Sequence, residues 1–248
     1  MTKNNKNNIN NLISSSVGTC AAEILTLPIC TTKTNYQKDL TQKSIVNVAK
    51  QIYKTKGVYG FFNSSFSAVG SQIVSTSSKY TFYQMIKNMR NTEKHDIKNN
   101  IINGGCAGVL ASIFSHPFDV VKIHHQTSES FIKSLKKNGP MLFYRGYSKS
   151  IYKNLLLTSL LFPTYDFYMH KINNSLLSSL CTTMTITLIV QPIDYLKTRH
   201  IAGEKLFQGF NITKYYRGIS LHFMRSVPHF MITMGITEFV KKRLNITN

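Results

Sequence analysis

Apolar and polar positions along this chain recur with the period of a helix rather than of a strand. The stretch 103–126, NGGCAGVLASIFSHPFDVVKIHHQ, is the clearest case. Ser112, His116, Asp119, Lys122 and Gln126 fall at helical spacing and make one polar stripe, while Val109, Leu110, Ile113, Phe114 and Val121 take the opposite side. Gly104 and Gly108 are four residues apart, so they share a face on which a second backbone can come close. Pro117 removes a ladder hydrogen bond and predicts a kink just before the charges. Comparable patterning predicts six long helices, over 12–37, 67–89, 103–126, 148–171, 175–202 and 220–244. Three short surface segments come between them: 44–56, a piece from Phe131 to the stop at Gly139-Pro140, and 204–211. Residues 1–11 read as a loose Asn/Lys-rich tail and 91–100 as a polar linker. No strand alternation is present, so the class is all-α.

One phrase is written three times. Pro28-x-Cys30-x-x-Lys33-x-x-x-Gln37, Pro117-x-Asp119-x-x-Lys122-x-x-x-Gln126 and Pro192-x-Asp194-x-x-Lys197-x-Arg199 share one spacing. Each follows a pair of small residues four apart: Ser15 and Thr19, Gly104 and Gly108, Ser179 and Thr183. Each precedes an aromatic segment: Phe61-Phe62-Asn63-Ser64, Phe143-Tyr144-Arg145-Gly146 and Tyr215-Tyr216-Arg217-Gly218. A third signature closes each copy: Tyr83-Gln84-x-x-Lys87, Tyr165-Asp166 and Glu238-x-x-Lys241. A single P-x-D-x-x-K arises by chance, but three ordered motifs in three registers mark internal repeats. The chain therefore divides into a tail (1–11) and one unit (12–244) of three repeats, 12–90, 100–171 and 175–244.

Composition narrows the partner. The 248 residues carry 30 Lys and Arg against 10 Asp and Glu, a net charge of +20. That balance asks for nucleic acid, an anionic lipid surface or an anionic small molecule. The four cysteines stand singly, so neither a disulfide framework nor a zinc site is indicated. Adjacent His124 and His125 would point about 100° apart on a helix, and no metal role follows from them. Walker, HExxH, GxSxG and kinase signatures are lacking, so the sequence gives no catalytic residues and implies no cofactor. No run of about 18 consecutive apolar residues occurs, because Ser and Thr interrupt every candidate. A helix lining a wet path needs one apolar face alone, and Ser and Thr hydroxyls can bond to its own carbonyls. The opening MTKNNKNNINN has the features of neither a signal nor a transit peptide.

With these motifs in view, the chain resembles the mitochondrial carrier family over nearly its whole length, in order, number and spacing. Its degenerate copies look like those of a viral member of that family, and the Asn/Lys/Ile bias suggests an AT-rich genome. The resemblance implies a multi-pass protein of the mitochondrial inner membrane. It would be a monomeric barrel of six tilted helices with threefold pseudosymmetry, kinked at Pro28, Pro117 and Pro192. A central site would open to the two sides in turn, between two rings of ion pairs. On the matrix side, Asp119 should meet Lys197 and Asp194 should meet Lys33, braced by Gln37 and Gln126. The third acid is missing there, since Cys30 faces Lys122. On the cytoplasmic side, Asp166 should meet Lys241 and Glu238 should meet Lys87, with Gln84 and Met169 in the third pair's places. The family's contact positions fall on Ser71, Lys153 and Arg225, with neighbours Gln72 and Asn154. Lys79 and Tyr80 lie two turns along. Glu23 is either the partner of Lys79 or a packing acid.

These cations ask for a substrate with several negative charges. Nucleotides fit first, with Tyr80, Asn154 or Gln72 on the base. Di- or tricarboxylates are the alternative, because nucleotide carriers of the family usually have Gly plus an aliphatic residue where Lys153-Asn154 stands. Membrane lipid, including cardiolipin at the Tyr-Arg-Gly turns, is the expected second partner. A basic nucleic-acid-binding protein would explain the charge but not three proline-marked helices with inner acids, so no nucleic acid is expected.

Overall fold

The computed structural model describes residues 3–41, 44–90, 97–127 and 131–243. Nine α-helices appear among them: α1 (Lys3–Lys38), α2 (Ile45–Lys56), α3 (Tyr59–Phe62), α4 (Ser65–Met89), α5 (Ile97–Gln126), α6 (Phe131–Asn138), α7 (Tyr147–Ile172), α8 (Ser175–Ile201) and α9 (Ile219–Arg243). Short 3₁₀ turns cover Pro140–Tyr144 and Ile212–Tyr216, and no strand occurs among the described residues. The six long helices follow the predicted ones within a few residues, except at the starts of α1 and α5.

Three expectations change. The tail is not loose from Lys3 onward, because α1 begins there. No Gly or Pro interrupts the run until Gly18, and extending a nucleated helix is cheap. Likewise α5 begins at Ile97, inside the expected linker, of which 91–96 lie outside the described residues. The third short helix, at 204–211, is not formed. Gly203 and Gly209 adopt positive φ, and the Tyr215 hydroxyl accepts from the Gln208 amide and donates to the Gly209 carbonyl, folding this segment as a loop.

The long helices contact one another in the order α1, α4, α5, α7, α8, α9, and α9 returns to α1. Their side chains are sorted inside out. Lys33, Gln37, Ser71, Ser112, His116, Gln126, Asp194 and Lys197 are buried, while Leu25, Leu110, Ile113, Phe114, Leu188 and Ile189 face outward. Water cannot wet such an apolar exterior cheaply, whereas lipid can. Ile13–Lys38, Ile101–Gln126 and Ser175–Ile201 are long and apolar enough on average to cross a membrane, although no uninterrupted apolar run exists. The interrupting hydroxyls are satisfied within the helices. Thr26 donates to the Ala22 carbonyl, Thr34 to Cys30, Thr182 to Ser178 and Thr198 to Asp194, at 2.7–3.0 Å. Pro28, Pro117 and Pro192 each stand inside a helix that continues beyond them.

The close approach of α1 and α9 depends on Gly18, not on the Ser15/Thr19 pair. A Cβ there would lie 2.4 Å from Thr237 Oγ1 and 2.8 Å from the Thr233 carbonyl oxygen. Thr237 can turn away, but the carbonyl belongs to the α9 backbone. Gly18→Val should cost roughly 1–3 kcal/mol and lower the melting temperature in detergent by several degrees. An unchanged melt would mean that the two helices separate freely at this point.

Candidate functional site

The C-terminal halves of α1, α5 and α8 are tied together at one end of the molecule. Asn35 Nδ2 donates to the Gln126 carbonyl at 2.8 Å, and Thr34 Oγ1 donates to Gln126 Oε1 at 2.8 Å. Two arginines close the carbonyls at the end of α1. Arg199 Nη1 reaches Gln37 and Lys38 at 3.1 and 2.7 Å, and Arg217 reaches Tyr36 and Asp39 at 2.6 and 2.8 Å. These bonds satisfy acceptors that every helix end leaves open. Arg217 also stacks on Tyr36, 3.9 Å from the ring centre. Just beyond α1, the hydroxyl and amide of Thr41 donate to Asp39 and hold its carboxyl below the usual carboxylate range.

The prolines organise the same end. In two repeats the residue before the proline is polar and bonds across to the Tyr-Arg-Gly turn. His116 Nε2 donates to the Arg145 carbonyl at 3.1 Å, and its Nδ1 accepts from Ser150 Oγ at 2.9 Å. Gln191 Nε2 donates to the Arg217 carbonyl at 3.2 Å, and its Oε1 accepts from His222 Nδ1 at 2.7 Å. Leu27 stands there in the first repeat and can do neither; Thr31 one turn on donates to the Phe61 carbonyl instead, at 2.9 Å.

Three carboxylates lie between these helices, and each takes two partners. Asp119 pairs with Lys197 at 2.7 Å and accepts from Ser71 Oγ at 2.5 Å. Asp194 pairs with Lys33 at 2.6 Å and also with Lys153. Glu23 pairs with Lys122 and with Arg225. In every case one partner is a lysine of the P-x-x-x-x-Lys motif on another proline-bearing helix. The other is the contact residue of the preceding long helix: Ser71 on α4, Lys153 on α7, or Arg225 on α9. Side chains from two families of positions thus converge on the same carboxylates, and on Asp194 and Glu23 both partners are cations. Desolvated charges of this kind persist only when paired. The hollow at their level measures about 140 Å³ and is lined by Lys33, Asp119, Lys122, Lys153, Asp194, Lys197, His222 and Arg225 among others.

Some expected positions lie elsewhere. Gln37 and Gln126 do not brace the ion pairs. Gln37 Nε2 donates to the Arg217 carbonyl at 3.3 Å, and Gln126 Nε2 points at Cys30 Sγ at 3.4 Å. Lys79 is not the partner of Glu23 and makes no ion pair among the described residues; both faces of Glu23 are already occupied. Gln72, Tyr80 and Asn154 are half-buried and do not line the hollow. At the far end, Asp166 does not meet Lys241, nor Glu238 Lys87. Both carboxylates are exposed there, and Gln84 and Lys87 are half-buried. The pairing of Glu23 with Lys122 is the feature the sequence reading missed. Its signal was present, since Glu23 precedes Cys30 by two helical turns and lies on the same face.

Comparisons with known proteins place the chain among relatives. Residues 4–94 and 93–176 each match the family model described as mitochondrial carrier protein. Mitochondrial carrier-like protein L276 of Acanthamoeba polyphaga mimivirus is 44% identical over 232 residues, covering 94% of this chain and 96% of that protein. The mitochondrial glycine transporter of Xenopus tropicalis is 26% identical over 163 residues, covering 60% and 54%. Calcium-dependent mitochondrial ATP-magnesium/phosphate carrier protein 3 of Arabidopsis thaliana is 23% identical over 268 residues, covering 94% and 56%.

Proposed function

Because the chain belongs to the mitochondrial carrier family, a family of solute transporters rather than enzymes, we propose that it exchanges anionic metabolites across the mitochondrial inner membrane, nucleotides first among them. The six long helices form one barrel, and its central site opens to the two sides in turn. The state described is closed by the carboxylate cluster, on the matrix side by the family's orientation. It is open at the end where Asp166 and Glu238 stand unpaired.

One observation carries this reading: the carboxylates that close the path also hold the contact residues. Five cations share three carboxylates, so the hollow keeps two positive charges uncompensated. A polyanion entering from the open end supplies that charge. It competes with Asp194 for Lys153 and with Glu23 for Arg225, and so loosens the plug it reaches. Arg225 offers two parallel donors to a phosphate, and Lys153 a movable point charge. Anionic lipid is expected at the starts of α7 and α9, through backbone amides rather than through Arg217, whose guanidinium is held by α1. The protein works as a monomer.

Reconstitution into liposomes, with a panel of internal and external solutes, tests the substrate class. Saturable exchange of nucleoside di- and triphosphates is the expected result. A second reading, di- or tricarboxylates, is favoured by the pairing of Lys153 with a carboxylate in the resting site. Exchange confined to that class would select it. Glycine moving in preference to every anion would overturn both. Release of the protein from membranes by alkaline carbonate would point instead to a soluble basic binder.

A further inference from the structure

We infer that Glu23 is the third carboxylate of the plug, displaced by two helical turns from Cys30, and that it links that plug directly to the substrate contact Arg225. This deepens the transporter reading above and rests on it. The position that carries Asp119 and Asp194 in the other two repeats carries Cys30 in the first, which offers Lys122 no carboxylate. Seven residues earlier on the same helix face stands Glu23, about 10 Å along the axis. It is 1% exposed. Its Oε1 accepts from Lys122 and its Oε2 from Arg225, so each oxygen has one cation. Arg225 Nε turns also toward Thr26 Oγ1 at 3.4 Å, on the same face of α1.

The displacement changes more than the address of a charge. The first repeat's acid has moved away from Gln126 and Cys30, toward the open end and toward α9. A phosphate or carboxylate that engages Arg225 must take it from Glu23, and then sits beside that carboxylate as a like charge. The incoming anion repels Glu23 and attracts Lys122, and so weakens the hold of the one on the other. Of the three carboxylates, Glu23 is the one most buried and the one whose second partner is Arg225, so occupation of the site reaches the plug here most directly.

Two substrate-free melts and one kinetic measurement test this. Glu23→Gln leaves Lys122 and Arg225 side by side without a carboxylate, and the melting temperature should fall by roughly 10 °C. Adding Cys30→Asp to that variant restores Lys122's partner at the repeat position and should recover at least half of the fall. An acid that merely packed α1 would not be replaced from two turns away, so absence of recovery overturns the plug assignment. Should Glu23→Gln fail to fold, the double variant Glu23→Gln with Lys122→Gln, which removes the orphaned lysine, should fold and outlast it; an equally unstable double variant also counts against the assignment. In liposomes loaded with ATP, Glu23→Gln should lower the KM for external ATP roughly five-fold, because Arg225 loses its competitor. Cys30 and Arg225 line the same hollow, so the KM of the single variant, not of the rescued one, reads the link to Arg225. A KM unchanged in Glu23→Gln would break the link to Arg225. If ATP is not carried at all, the nucleotide reading fails while the melts still decide the role of Glu23.

Discussion

Arg225→Ala and Lys153→Ala should each reduce uptake by roughly 100-fold while the protein still folds. The loss follows from the chemistry of the contact. Each removes a charge-assisted bond of roughly 1.5–3 kcal/mol, in a desolvated hollow where nothing nearby can substitute. Folding survives because neither variant strands a carboxylate. Without Arg225, Glu23 keeps Lys122; without Lys153, Asp194 keeps Lys33 at 2.6 Å. Uptake into liposomes and the melt of the same preparation separate the two effects. A variant with full uptake would remove that residue from the site, and one that fails to fold would show that its charge serves the plug alone.

Asp194→Asn should act in the opposite way, as a stability defect first. Asp194 is 8% exposed and is the carboxylate of both Lys33 and Lys153. Neutralising it leaves the buried ammonium of Lys33 facing the half-buried one of Lys153, a loss of roughly 3–5 kcal/mol and about 10 °C in the melt. Adding Lys33→Gln should recover part of that loss by removing one of the stranded charges. The contrast lies at the other end of the molecule. Asp166→Asn and Glu238→Gln remove exposed carboxylates that have no ion-pair partner among the described residues, and their melts should stay within about 0.5 kcal/mol of the parent. Equal sensitivity at both ends would mean that the closed end is not where the charges hold the molecule together.

The repeat made much of this legible. Period and proline spacing placed the six long helices, because a polar stripe on an apolar helix survives in one sequence without any relative beside it. The spacing of Asp119, Lys122, Asp194 and Lys197 put acids and bases on inner faces, and the distances from Asp119 to Lys197 and from Asp194 to Lys33 follow that order. What the repeat concealed was its own exceptions. Cys30 reads as a gap only if the acid must stand at its place; the helix face, not the place, is what a long lysine side chain senses, and Glu23 lies on that face. The glutamines at 37 and 126 were read by analogy, but each lies beyond the plug, where backbone carbonyls and a thiol are nearer than the ion pairs. The segment 204–211 failed for a local reason. Two glycines at positive φ and a tyrosine hydroxyl satisfy its backbone without a helix.

Spin labels at exposed Lys54, Lys136 and Lys205, taken in pairs after replacement of the four cysteines by serine, would report the distance between the three tied helix ends. With no anion present, each pair should give one short, narrow distribution. Saturating the protein with the anion that it exchanges should add a second, longer population in all three pairs. Distributions that stay the same with and without that anion would contradict a plug of shared carboxylates that the substrate opens.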